Sequence, residues 1–185
     1  MRNFLFLLFF LGLTSLESCQ SQDNKNTFGK YYRIGEYDIL APFAEQPHIS
    51  PKQENEFVTF ISYQYAYPKI GDDLNNLYGI DVIKIKVDTA FHSLDTKVNF
   101  VEGMMKVVFE TMLKGKVINE EKGNYRGSYC IRLKVKININ NVGEVFMNSI
   151  FVPFDRFVLR MYAFTPIGND GNRRINDFFD SVKYK

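Results

Sequence analysis

Four β-rich segments joined by short turn sequences occupy much of the C-terminal half of this chain, and they limit its possible folds most strongly. The connecting sequences are GNYRG, NNVG and PFD. Connections this short favour antiparallel hairpins. The predicted strands span 116–122, 127–139, 143–152 and 156–164.

Further strands are predicted at 57–67 and 79–88, where β-branched and aromatic residues are frequent. In the second segment, apolar side chains alternate with Lys84 and Lys86, which places the apolar groups on one face. Residues 31–40 predict one or two short strands. The segment 41–51 contains three prolines and is predicted to be irregular, and 69–78 is predicted to be a loop.

One long helix is predicted at 96–114, where proline is absent and apolar residues recur at spacings of three and four. Its stripe consists of Val98, Val101, Met105, Val108 and Met112. Lys114 and Gly115 are typical of a helix end. A terminal helix is predicted at 173–182. Strands and helices in separate runs predict an α+β domain, in which the central and C-terminal helices flank an antiparallel sheet.

Residues 1–18 predict a secretion signal, because Arg2 precedes an apolar segment of about ten residues. A permanent membrane-spanning helix needs roughly 20 apolar residues, so removal of this segment is predicted. Leu16, Ser18 and Cys19 resemble the lipobox of bacterial lipoproteins, although Glu17 departs from that pattern. The resemblance implies acylation of Cys19 by fatty acids such as palmitate. The alternative is ordinary signal cleavage at small residues nearby.

Residues 19–30 predict a flexible tether, since Phe28 is the only large apolar side chain between Gln20 and Lys30. Eleven flexible residues span about 18 Å, so the folded part is predicted to stay beside a membrane. Residues 31–185 are then predicted to form a single α+β domain, which is long enough to bury a core.

Composition and motifs argue against several function classes. Lysine and arginine total 23 against 21 acidic residues, and this net charge of +2 gives no nucleic-acid footprint. His48 and His92 lie in separate predicted loops, and no HExxH, CxxC or GxSxG motif is present. No catalytic residue, metal site or cofactor is predicted. Cys130 lies in a predicted strand and is expected to be a buried structural thiol.

Basic residues alternate with apolar ones on two predicted strands. These cations are Lys84 and Lys86 on one strand, and Arg132, Lys134 and Lys136 on another. If the strands are close, the five cations share one sheet face. That face is either an ordinary solvated sheet surface or a patch that binds an anionic surface or a partner protein. Tyr63, Tyr65 and Tyr67 also alternate and offer a second possible binding surface.

The order of strands, helix, four strands and helix resembles the PsbP-like fold family. Photosystem extrinsic subunits, a nuclear import factor that binds Ran and many bacterial lipoproteins share this fold. The resemblance includes a strand with Arg and Tyr followed by a short helix, here at Arg160, Tyr162, Phe178, Phe179, Ser181 and Val182. It implies a scaffold used for binding and assembly more often than for covalent chemistry, and it transfers no functional residue.

The sequence therefore predicts a non-enzymatic, lipid-anchored protein of a Gram-negative cell envelope, attached to the outer membrane. It is expected to bind an envelope protein or an anionic surface, or to assist assembly of an envelope complex. The alternative is an envelope hydrolase. A deep pocket with convergent acid, base and nucleophile would favour the hydrolase, whereas an open basic and aromatic face would favour binding.

Overall fold

The computed structural model describes residues 30–43, 46–54, 58–66, 75, 77–86, 93–105, 109, 114–139 and 143–184. The predicted signal, Cys19 and the tether as far as residue 29 lie outside these residues. The same holds for Val108 and Met112 of the predicted helical stripe and for His92.

Eleven strands and two helices lie within this part of the chain. In chain order they are β1 (Lys30–Arg33), β2 (Ile39–Phe43), β3 (His48–Ile49), β4 (Gln53–Glu54), β5 (Val58–Ala66), β6 (Leu77–Ile85), α1 (Leu94–Met105), β7 (Lys116–Tyr125), β8 (Ser128–Ile139), β9 (Gly143–Pro153), β10 (Phe157–Pro166), α2 (Arg173–Ser181) and β11 (Lys183–Tyr184). The order agrees with the α+β class that the sequence predicts.

The larger of the two sheets is antiparallel, with strand order β3-β5-β6-β10-β9-β8-β7, and β4 also pairs with β5. Strands β7 to β10 form the meander that their short connections predict, and β10 returns beside β6. There Tyr162 is paired with Gly79. A Cβ atom on Gly79 would lie 2.2 Å from Cζ of Tyr162, so only glycine leaves room for this ring.

The second sheet, called the small sheet below, has the order β1-β2-β11 and joins the two ends of the described chain. Its inner side chains, including Ile39 and Phe43, are buried. The outer side chains Tyr31, Leu40 and Lys183 are exposed. The small sheet is therefore a cover for part of the large sheet.

Each face of the large sheet is buried against one helix. On the α1 face, side chains of β8, β9 and β10 pack with Val101, Met105 and Phe109. On the α2 face, side chains of β5, β6, β9 and β10 pack with Phe178, Phe179 and the inner side of the small sheet. The predicted helical stripe is thus confirmed at Val101 and Met105, which are buried. Among the described residues, neither helix is long and apolar enough to cross a membrane.

The described part of the predicted helix, α1, ends at Met105, and residues 106–108 and 110–113 lie outside the described residues. Lys114 has a φ of 48°, and the backbone N–H of Gly115 donates to the carbonyl oxygen of Phe109 at 2.7 Å. Gly115 also packs closely on the sheet, since a Cβ atom there would lie 2.9 Å from Cγ1 of Val135.

Two predicted loops are partly strand, and these predictions are wrong at the residues concerned. Residues 41–43 belong to β2 and 48–49 to β3, and Leu77 and Tyr78 begin β6. The proline at position 42 does not end the strand, because β11 pairs only with Ile39 and Leu40. At Pro42, β2 therefore has a neighbour on one side only, and its missing N–H donor is tolerated.

Candidate functional site

An open cleft of about 220 Å³ lies on the α2 face, between α2 and strands β7, β8 and β9. Its polar lining comes from Asn119, Glu121, Arg132, Lys134, Asn148, Asp170, Asn172 and Asn176. Its apolar wall includes Ile150, Ile175 and Phe179. The cleft, as defined by these residues, is the candidate functional site.

The C-terminal end of α2 is held by the turn between β7 and β8. Arg126 and Gly127 have φ values of 52° and 85°, which suits a two-residue hairpin turn with left-handed backbone at both positions. From this turn, Arg126 donates hydrogen bonds to the carbonyl oxygens of Asp180 and Val182. A cation at this position also interacts favourably with the helix dipole.

Tyr125, just before this turn, adds a further contact to α2. Its hydroxyl donates to the carbonyl oxygen of Phe179. Burial raises the pKa of Tyr125 to about 12, so the phenol keeps its proton at neutral pH. The last turn of α2 is thus attached to the β7–β8 hairpin by three hydrogen bonds.

The N-terminal end of α2 is held by a cluster of amides. Asn172 is its N-cap residue, and Asn172 and Asn75 exchange two side-chain hydrogen bonds of 3.0 and 2.9 Å. Thr165 donates to Oδ1 of Asn75 at 2.9 Å, and Nδ2 of Asn75 donates to the hydroxyl of Tyr78 at 2.6 Å. Because Asn75 is buried, these bonds satisfy polar groups that would otherwise be costly. They fix the loop that contributes Asp170 to the cleft.

An ion pair between Lys134 and Asp170 crosses the cleft from β8 to this loop. The Lys134 ammonium group, which also lies 4.6 Å from the ring centroid of Phe146, holds the pKa of Asp170 below its ordinary value through a hydrogen bond. Asn148 is paired with Lys134 across the strands. Nδ2 of Asn148 is buried and has no hydrogen-bond partner among the described residues. The cleft lining therefore contains a buried donor whose hydrogen-bonding capacity is not met by the described residues.

The five cations selected from the sequence lie on one face, because Lys84 shares a strand face with Val82, and Arg132 with Cys130, both of the α2-face core. However, β10 and β9 lie between β6 and β8, so the two groups are not neighbours. Four cations have a carboxylate within reach, in the pairs Lys84–Glu36 at 3.2 Å, Lys86–Glu54 at 3.3 Å, Lys136–Glu144 at 2.7 Å and Lys134–Asp170. Their role as a binding face stays a prediction.

Of these five, only Arg132 and Lys134 line the cleft. Arg132 lies 5.6 Å from the ring centroid of Tyr125 and makes no ion pair with another described residue. Neither the amides of the cleft nor Asp170 were among the binding residues selected from the sequence. Asparagines in strands have no recognisable motif. The available signal was that Asn119 and Glu121 share one strand face, as do Arg132 and Lys134 on the next predicted strand.

Groups suited to covalent chemistry do not converge in the cleft. Its described lining has no histidine or cysteine, and the hydroxyl of its one serine, Ser149, is buried without a hydrogen-bond partner. Cys130 is buried, which raises the pKa of its thiol and confirms the predicted structural role. His48 is exposed on β3, and Tyr63 is buried in the α2-face core. No group of three metal-ligating side chains occurs within the described ranges.

No family model matches this chain, and no curated protein matches it. The solution structure of cyanobacterial PsbP (CyanoP) from Synechocystis sp. PCC 6803 is similar, with a TM-score of 0.60 and 12% sequence identity over 92% of this chain and 99% of that chain. A protein of unknown function, PA94 from Pseudomonas aeruginosa, gives a TM-score of 0.43 at 13% identity over 76% of this chain and 84% of that chain. The fold is therefore PsbP-like, as the sequence resemblance implied.

Proposed function

We propose that this chain is a lipid-anchored protein of a bacterial cell envelope whose PsbP-like domain binds a partner and assists assembly of an envelope complex. The cleft is the observation that carries this proposal. It offers hydrogen-bonding side chains on an open surface, and its described lining has no pairing of nucleophile and base. A site of this kind suits recognition better than catalysis.

The charges of the cleft define the chemistry of that recognition. Arg132 and Lys134 are balanced by Glu121 and Asp170, so the formal charges of the lining cancel. Four asparagines add both donors and acceptors. A neutral lining with both hydrogen-bonding roles suits the peptide groups of a partner chain, since each peptide unit carries one donor and one acceptor.

The anchor is the second part of the proposal. The lipobox-like residues before Cys19 support acylation there, and the polar residues that follow would keep the domain close to the outer membrane. A partner bound in the cleft would then be an envelope protein. Membrane attachment supports such a role because it raises the local concentration of the domain near partners in the same compartment.

The proposal is tested by crosslinking and capture of the protein from its native envelope. Asn148→Arg fills the cleft with a long side chain, and we expect the captured partner to be lost or reduced at least tenfold. Asn138→Arg is the matched control, because Asn138 is exposed on the same strand system but outside the cleft lining. Equal capture by both variants would contradict a partner site in the cleft.

The same experiment includes Cys19→Ser. We expect incorporation of a palmitate analogue to disappear and the protein to move to the soluble envelope fraction. Unchanged labelling would contradict acylation of Cys19 and would not bear on the proposed partner site in the cleft. The hydrolase function would be favoured over binding if the wild-type protein hydrolysed envelope material and Asn148→Arg abolished that activity.

A further inference from the structure

The outer face of the small sheet is a second surface with a distinct composition. It consists of Tyr31, Arg33, Leu40 and Lys183, and Tyr31 and Leu40 are 44% and 40% exposed. The register brings these residues together, because Leu40 is paired with both Arg33 and Lys183. Nζ of Lys183 lies 4.3 Å from the ring centroid of Tyr31. Exposed aromatic and aliphatic groups are thus interspersed with cations.

The charge of this surface is positive. Its two cations are Arg33, which lies 3.4 Å from Asp38, and Lys183, which is exposed and takes part in no ion pair among the described residues. This differs from the strand cations of the large sheet, of which four have acidic partners. The outer face therefore carries a positive charge that no described acidic residue neutralises.

The position of this surface in the chain is equally informative. Strand β1 begins at Lys30, which is the last residue of the predicted tether. Only the residues between Cys19 and Lys30 separate a lipid anchor from the edge of the outer face. An acylated Cys19 would hold this surface within about 18 Å of the bilayer on average.

We infer that the outer face of the small sheet rests on an anionic lipid bilayer, an inference that builds on the proposed anchor at Cys19. Lysine stems lie along apolar surface while their ammonium groups reach anionic headgroups, and tyrosine suits the interface because one end is apolar and the other polar. Each basic residue near such a surface raises the affinity about fivefold. The acyl chain supplies attachment, and this face sets the orientation of the domain.

The outer face of the small sheet and the cleft lining share no residue. The bilayer face and the partner site are therefore separate surfaces.

The test uses residues 20–185 without the acyl group, which keeps every residue that the structure describes. Co-sedimentation with vesicles of phosphatidylglycerol is compared with that of phosphatidylcholine vesicles at low and high salt. We expect binding only to the anionic vesicles at low salt, and weakening at 0.1 M salt, where exposed charges are screened over about 10 Å. Absence of binding to anionic vesicles at low salt would overturn the inference. Because no lipid is attached in this assay, that result would leave acylation of Cys19 untouched.

Two double variants distinguish binding through the outer face of the small sheet from nonspecific attraction by the net charge of the protein. Arg33→Glu with Lys183→Glu should reduce binding at least tenfold, while Lys114→Glu with Lys116→Glu makes the same charge change at exposed residues of another region. Tyr31→Ser should weaken binding without any change of charge. Equal losses in the two double variants would overturn the inference in favour of nonspecific attraction. Each variant is first shown to unfold at the wild-type temperature.

Discussion

The two faces of the large sheet are covered by different means. On the α1 face, Val101, Met105 and Phe109 pack directly on apolar strand residues. On the α2 face, the helix also depends on hydrogen bonds at both of its ends, and its side facing β7 to β9 leaves the cleft open. The comparison indicates that the α1 face serves stability, whereas polar side chains on the α2 face remain accessible to a ligand.

The α1 face nevertheless contains a buried ion pair. The guanidinium group of Arg160 lies 3.0 Å from Asp81, and the two side chains are 4% and 0% exposed. The same group lies 4.4 Å from the ring centroid of Tyr162 and 5.3 Å from that of Phe109. Aromatic faces therefore surround a charge pair that solvent does not reach.

The largest effect is expected from removal of one partner of this pair. Arg160→Met should lower the free energy of unfolding by about 3–5 kcal/mol, because Asp81 would lose its buried counter-charge. Denaturant unfolding measures the loss. The double variant Arg160→Met with Asp81→Leu should recover most of the stability. A loss below about 1 kcal/mol in the single variant would show that this face tolerates an unbalanced charge.

A smaller effect is expected on the α2 face. Arg126→Gln removes the charged donor at the end of α2 and should cost about 1–2 kcal/mol. Hydrogen exchange should accelerate in α2 and leave α1 unchanged, because the contact holds only one of the two helices. Arg173→Gln is the control, since its side chain is 92% exposed at the other end of α2. Equal acceleration in both helices would remove the distinction between the two faces.

The smallest effect concerns the ion pair of the cleft. Lys134 lowers the pKa of Asp170, so this carboxylate stabilises the fold above its ordinary pKa of 3.8 and loses that contribution as the pH falls through its folded value. Asp170→Asn should cost up to about 1 kcal/mol at pH 7, since the pair is partly exposed. The difference from wild type should vanish in acid. A difference that persists below the folded pKa would mean that the loop needs the shape of Asp170 and not its charge.

Sequence patterns predicted those parts of the fold that depend on local periodicity. The meander followed from its short turns, and the stripe at Val101 and Met105 identified a buried helical face. The small sheet left no comparable pattern, because the pairing of Leu40 with Lys183 joins segments far apart in the chain. Proline at position 42 led to a prediction of irregular chain. Its tolerance depends on pairing with β1 alone, and this becomes visible only in the assembled sheet.

The candidate site was less accessible to sequence reasoning. Arg132 and Lys134 were selected for their charge, but the cleft also depends on Asn148 and Asp170, which meet only when the loop before α2 reaches β8. Ion pairs between distant segments are equally difficult to predict from a sequence. Lys84 and Glu36 are exposed residues from distant segments, and only the fold shows that they lie 3.2 Å apart.

The small sheet also sets an order for the assembly of the domain. Its middle strand, β2, is bordered by the first described strand and by β11 near the end of the chain. In a polypeptide synthesised from its N-terminus, Ile39 and Leu40 can complete their pairing only after Lys183 and Tyr184 have been synthesised. Such long-range pairing carries a loop-closure cost that local hairpins avoid. Termination before β11 would therefore leave the β1–β2 hairpin without its third strand, so the three-stranded sheet is complete only in a product that includes β11.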